Sequence, residues 1–245
     1  MAKPVSVFRK NRILSALPSD EYARLSPHFE LVSLTAGTIL QEEGEPTPYV
    51  YFPETSILSI LAQLEDGNSI EVAGVGNEGM VGVSVFLGVT HAPAQVLVQV
   101  AGTAVRMASR RLRGETARGG DLHDTLARYS HALIASAGQT IACNRFHHLD
   151  ARCARWLLTT HDRVPGDAFV LTHESLALML GVRRAGVTTA AGALQTAGFI
   201  SYSQGHVSVL DRAGLESAAC ECYRVVRAEL DQVFEVAVAA RRVSG

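Results

Sequence analysis

The stretch from Leu171 to Leu210, LTHESLALMLGVRRAGVTTAAGALQTAGFISYSQGHVSVL, constrains this chain more than any other. Thr172 can cap a helix whose first turn holds His173 and Glu174, and apolar residues recur at helical spacing until Gly181 stops the run. Ala177 has the small volume that a close helix crossing needs. Gly181 can adopt the left-handed conformation that a sharp turn demands. With Leu176, Leu180, Val182, Val187 and Ala190 turned inward, helical geometry forces Arg183, Arg184, Thr188 and Thr189 outward at the start of a second helix. An arginine fork matches guanine O6 and N7, and threonine offers a hydroxyl for phosphate or base and a methyl for thymine. A hairpin follows, 199–202 and 206–210 around Ser203-Gln204-Gly205, and it takes the place of a wing. Its tip carries Ser203, Gln204 and His206, which suit phosphate contact. Thr172, Arg183, Arg184, Thr188, Thr189, Ser203, Gln204 and His206 are therefore the candidate DNA-binding residues. The bland alternative is a solvated helical hairpin.

Upstream, short β-branched or alternating runs occupy 31–34, 49–52, 57–61, 70–73, 96–100 and 104–107. Ala36-Gly37, Glu43-Gly44, Asp66-Gly67-Asn68 and Ala101-Gly102 separate them, which predicts an antiparallel sandwich or roll. After Arg110 the texture becomes helical. Leu122, Leu126, Tyr129 and Leu133 fall on one seam, which either covers the β-domain or pairs with its own copy; dimerisation is assigned to it. A further helix is expected from 147 or 150 to 160, with Cys153, Trp156 and Leu157 facing inward, before Val164-Pro165-Gly166-Asp167 breaks the chain. From Asp211 the sequence is helical again to near Arg241. The division expected is a β-roll over 1–110, a long connecting helix over 111–146, the winged helix-turn-helix over 147–212 and a helical extension over 213–245.

Composition narrows the class. A chain of 245 residues, 47% hydrophobic and 19% charged, can bury one sizeable core or two smaller ones. Its apolar runs fall far short of the roughly 20 residues that span a bilayer, so no membrane partner is expected. Met1-Ala2-Lys3-Pro4 opens no apolar targeting segment, which predicts a cytoplasmic protein. A net charge of -2 leaves any DNA affinity to the local placement of arginines. Cys143, Cys153, Cys220 and Cys222 suit reduced thiols in helices; Cys220 and Cys222, two apart on a helix, would face about 200° apart and chelate poorly. No metal and no cofactor is expected.

The glycine-punctuated β-domain, the long helix, the stretch Gly74-Val75-Gly76-Asn77-Glu78-Gly79-Met80-Val81-Gly82 and the helix-turn-helix with its wing resemble the Crp/Fnr superfamily of transcription regulators, over about 11–210. The resemblance implies an α+β fold: an N-terminal jelly roll like the cyclic-nucleotide-binding domain, a long dimerisation helix and a C-terminal winged helix-turn-helix. It further implies a homodimer on a two-fold site in double-stranded DNA, with RNA polymerase as a candidate partner. Where the cyclic-AMP receptor branch uses a Glu after the helix-start Arg, this chain has Ala185. Holding a cyclic nucleotide in the usual way takes a Glu for the ribose and an Arg for the phosphate. The matching positions are Val83 and Pro93-Ala94, and no Asp or Glu occurs from Gly79 to Gly114, so that mode is not expected. The first cysteine is Cys143, which departs from the iron-sulfur branch. Haem through the lone His91 has no further support, and the effector stays unknown.

Other classes fit less well. Gly74 to Gly79 matches G-x-G-x-x-G, but glycines and β-branched residues follow where a dinucleotide enzyme needs a helix. His173-Glu174 lacks the second His of H-E-x-x-H, since Ala177 stands there. An enzyme is not expected. The remaining alternative is an allosteric module, responsive to a cyclic nucleotide or another small ligand, that acts mainly through protein-protein contacts.

Overall fold

The structure is a computed structural model that describes residues 10–243, with side chains over 10–235; the reading of Met1-Ala2-Lys3-Pro4 lies outside the described residues. The described residues divide into two compact units, one of residues 10–60, 74–134 and 228–243, the other of 61–73 and 135–227.

In the first unit, Asn11 caps α1 (Arg12–Ser15) by accepting the Ile13 and Leu14 amides, while its own amide donates to the Pro53 and Gly79 carbonyls at 2.9 Å each. A fully buried polar side chain with all its groups paired fixes this corner. After α2 (Ser19–Leu25) come β1 (Glu30–Leu34), β2 (Ile39–Gln41), β3 (Tyr49–Pro53), β4 (Ile57–Gln63), β5 (Ser69–Val75), α3 (Val83–Phe86), β6 (Gln95–Val100) and β7 (Gly102–Ala108). They form two sheets, ordered β1-β7-β3 and β2-β6-β4-β5, with β1 and β3 each antiparallel to β7 and β2 antiparallel to β6. The α+β class and the N-terminal antiparallel β-domain are as the sequence predicts. The three-residue edge strand β2 escaped the reading because it is too short to show alternation. The G-x-G-x-x-G stretch forms the end of β5 and the loop before α3, a four-residue helix, and Glu78 accepts the Gly76 amide at 3.1 Å; it is a loop, not a dinucleotide cradle.

α4 (Ser109–Thr116) leads into α5 (Asp121–Phe146), a helix of 26 residues. Here one expectation is corrected. Leu122, Leu126 and Tyr129 are at most 1% exposed and share a core with Phe52, Met80, Met107 and Leu112, while Leu133 is half-buried. A seam that fills its own β-domain's core is not available to a second copy. The opposite face of the same helix carries Ala127, His131, Ile134, Gly138, Ile141 and Arg145, all exposed and spaced four, three, four, three and four apart. Ile134 and Ile141 are 69% and 72% exposed.

The second unit contains α6 (Leu149–His161), β8 (Ala168–Val170), α7 (His173–Leu180), α8 (Arg184–Thr196), β9 (Ile200–Ser203), β10 (His206–Val209), α9 (Arg212–Ala218) and the start of α10 (Cys222–Val243). The strands form one sheet ordered β8-β10-β9. Arg212 of α9 donates to Asp162 at 2.6 Å and to Tyr223, whose own hydroxyl donates to Asp162 at 2.8 Å, so α6, α9 and α10 are pinned by one polar network. The helical run expected from Asp211 is broken at Ala219, whose backbone is extended. Cys220 therefore lies outside a helix and Cys222 begins one, so the expected divergence of their thiols is overturned: both pack with Cys143 in one buried cluster.

Candidate nucleic-acid interface

Thr172 caps α7, its hydroxyl oxygen accepting the Ser175 amide at 3.0 Å. α7 ends on Gly181 at φ +62°, where the Val182 amide donates to the Ala177 carbonyl at 3.0 Å and the Gly181 amide to the Leu178 carbonyl at 3.2 Å. This is a Schellman ending, and glycine serves it for two reasons. The left-handed φ disfavours a side chain, and a Cβ here would stand 2.5 Å from Ile70 Cδ1. Arg152, a buried guanidinium on α6, donates to the otherwise orphaned Leu180 carbonyl and to Asn144 Oδ1 at 2.8 Å. Burial pushes its pKa down, yet an arginine stays charged. The sequence reading missed Arg152 as the residue that holds the turn; the signal was a lone cation among the inward positions of α6 beside Cys153 and Trp156.

α8 then starts at Arg184, with Arg183 as its cap residue. Val187 and Ala190 are buried, whereas Arg183, Arg184, Thr188 and Thr189 are exposed. The partition follows the helical period. Arg184 Nη1 lies 2.7 Å from Glu174 Oε1, with both side chains mostly exposed. An exposed ion pair is worth about 0–1 kcal/mol, so a phosphate or a guanine can displace it at little cost.

The wing is tied to the helices through His173. Its ring stacks on Tyr202 with centroids 4.5 Å apart, and its Nδ1 shares a 3.0 Å hydrogen bond with Thr188 Oγ1. Burial, and then the Arg184 charge, hold the His173 pKa below its usual value, so the ring is neutral at pH 7. Its buried Nε2 has no hydrogen-bond partner. Tyr202 donates its hydroxyl to the Leu171 carbonyl at 2.9 Å, and burial pushes its pKa up to about 12. One imidazole thus joins the start of α7, the exposed side of α8 and strand β9. Gln204 and Gly205, at φ +50° and +77°, make the two-residue turn that a right-twisted hairpin favours, with Ser203 opposite His206. Ser203, Gln204 and His206 are exposed at its tip.

Of the eight candidate residues, the structure brings Thr172, Arg184 and Thr188 together around His173 and Glu174. It leaves Arg183 and Thr189 on the open face of α8 and sets the other three at the wing tip. Among the described residues no helix is long and apolar enough to cross a membrane.

Two family models match the chain: a cyclic nucleotide-binding domain over residues 31–118 and a Crp-like helix-turn-helix domain over residues 151–218. Comparison with curated protein sequences found no match. Among solved structures, the chain is similar to FixK2 from Bradyrhizobium japonicum, with a TM-score of 0.68 and 17% identity over 78% of this chain and 98% of that one. It is also similar to TTHA1359, a Crp/Fnr-family transcriptional regulator from Thermus thermophilus, with a TM-score of 0.59 and 23% identity over 78% and 98%. TTHB099, a CRP-family regulator from the same organism, gives 0.63 and 21% over 77% and 96%. At these identities the likeness speaks for the fold, and the two family models speak for what its halves are. One continuous polypeptide thus carries a cyclic nucleotide-binding domain over residues 31–118 ahead of a Crp-like helix-turn-helix domain over residues 151–218.

Proposed function

We propose that this chain works as a homodimer that reads a two-fold DNA site through α8, in the cytoplasm, and that its β-domain does not hold cyclic AMP in the usual mode. The observation that carries the reading is the outward face of α8: two guanidinium groups and two threonines exposed on a helix whose other side is buried. Arg183 and Arg184 supply base-edge forks, Thr188 and Thr189 supply hydroxyl and methyl contacts, and Thr172 and the wing tip supply phosphate contacts. Pairing is assigned to the exposed stripe of α5 from Ala127 to Arg145. Its heptad spacing suits a left-handed helix pair, and Gly138, with nothing near its missing Cβ, lets two backbones approach. Two copies related by a two-fold axis then present two α8 helices to major grooves about one turn apart.

On the effector side, Val83 lies in α3, and Pro93 and Ala94 lie in the bend before β6. None of the three side chains can bond a phosphate or a ribose hydroxyl. The neighbouring Gln95 amide is occupied by Glu42 at 2.8 Å.

Selection of bound sequences from a random duplex pool, with the salt dependence of the winning duplex, tests the reading. A palindromic consensus and a fall in affinity of orders of magnitude between low and moderate salt are expected. A flat salt response with no consensus would return the winged helix to a protein partner.

A further inference from the structure

Among residues that the candidate nucleic-acid interface does not use, three sulfurs and an imidazole converge. Cys143 and His147 stand one turn apart at the end of α5, where the His147 amide donates to the Cys143 carbonyl at 3.1 Å. Cys220 and Cys222 come from the turn between α9 and α10, where the Tyr223 amide donates to the Cys220 carbonyl at 3.1 Å. The Cys143 and Cys220 sulfurs are 3.5 Å apart, Cys222 Sγ is 3.4 Å from His147 Nδ1, and all four ligand atoms lie within 4.8 Å of one another. All three cysteines are buried as free thiols, and His147 is half-buried.

We infer that Cys143, His147, Cys220 and Cys222 form a binding site for one zinc ion, which ties the end of α5 to the α9–α10 turn. The spacing is the first support: an ion bound tetrahedrally about 2.3 Å from each sulfur needs its ligands roughly 3.8 Å apart, close to what is observed. The crowding also decides the nuclearity, since a space this small admits a single ion and leaves no room for a multi-iron cluster with its inorganic sulfides. The outer ring is the second support. His147 Nε2 sits 3.2 Å from Glu221 Oε2, the carboxylate partner that orients a ligating imidazole so that Nδ1 faces the metal. Gln139 donates its side-chain amide to Cys222 Sγ at 3.0 Å, and the Arg155 guanidinium is near enough to act on Cys143. Three thiolates and a neutral imidazole around a divalent ion carry one net negative charge, which a cation and an amide donor offset. Closed four-ligand sets of this kind are structural rather than catalytic. Here the ion would cross-link residues 77 positions apart in sequence.

The test uses the full chain, purified in reductant, with zinc content by mass spectrometry and cobalt(II) titration of the metal-free form. The expected results are about one ion per chain, intense d–d bands of tetrahedral cobalt and a thiolate-to-cobalt charge-transfer band. Chelation should lower the melting temperature. Cys220→Ser and Cys222→Ser should lose the ion, and Glu221→Gln should weaken it by about 10- to 100-fold. Cys153→Ala should leave it intact, because that buried thiol lies outside the cluster. Should the serine variants fail to fold, His147→Cys keeps the question open to measurement: it should retain cobalt and strengthen the charge-transfer band. Wild-type chain that takes up neither zinc nor cobalt overturns the site. So does a Cys143–Cys220 disulfide that forms as fast with zinc as without it, since a coordinated thiolate is withheld from oxidation.

Discussion

The 3.6-residue period gives helices α5 and α8 each an inner and an outer face, and the structure treats the two helices differently. On α8 the buried positions are all apolar, and every arginine and threonine of the helix is exposed, so polarity marks which side faces the protein. On α5 two seams have heptad spacing. One holds Leu122, Leu126 and Tyr129, and the other holds Ile134 and Ile141 with Gly138 between them and His131 and Arg145 on either side. Periodicity fixes the phase of a seam but not what lies against it. The stronger seam went to the chain's own core, and the diluted one was left outside.

The sharpest way to break this comparison is to strike each seam of α5 in turn. Ile134→Asp combined with Ile141→Asp should leave the fold intact, because exposed positions tolerate change within about 0.5 kcal/mol. It should yield a monomer by light scattering and cut affinity for the two-fold DNA site by about 100- to 10,000-fold, as linked binding is lost. Leu126→Ala should do the reverse, costing about 2–5 kcal/mol in denaturant unfolding with no direct effect on pairing. A dimer that survives the double aspartate change would refute the outer seam.

The turn that sets α8 against α7 comes next in size. Gly181→Ala should cost about 1–3 kcal/mol, from left-handed backbone strain together with the approach to Ile70. An unchanged unfolding midpoint would mean that the turn relaxes freely. On α8 itself, Arg183→Ala and Arg184→Ala should each weaken DNA binding by about 1–3 kcal/mol and relax base preference at one position. Glu174→Ala frees Arg184 from its surface pair and should tighten binding slightly and less selectively. Unaltered selectivity in both arginine variants would remove them from base readout.

Those features were legible because they are local. The Thr172 cap, the Gly181 stop and the polarity of α8 lie within 25 residues of one another, and the wing turn follows the familiar preference of glycine for positive φ. What escaped the sequence is non-local. Arg152 acts on the Leu180 carbonyl 28 residues away, and the sulfurs of Cys143 and Cys220 meet across 77. The Cys220-Glu221-Cys222 spacing separates its thiols only on a continuous helix from Asp211, whereas the extended backbone at Ala219 ends α9 and lets the chain turn. Neither glycine nor proline marks that break, so composition gave no warning.

The smallest effect sharpens the comparison within α8's own support. His173 is held neutral between Tyr202, Thr188 and Arg184, with Glu174 the nearby carboxylate pulling the other way. Its folded pKa lies below the usual 6.5, so between the two values the unfolded chain binds more protons than the folded one. The stabilisation is therefore complete above pH 6.5 and is lost as the pH falls through the folded value. One proton limits the slope to about 1.4 kcal/mol per pH unit. His173→Phe keeps a ring to stack on Tyr202 but cannot titrate, so its stability should decline less steeply than wild type below that pH. Parallel pH–stability curves for the two proteins would show that the imidazole is solvated, and that α7, α8 and the wing are joined by packing alone.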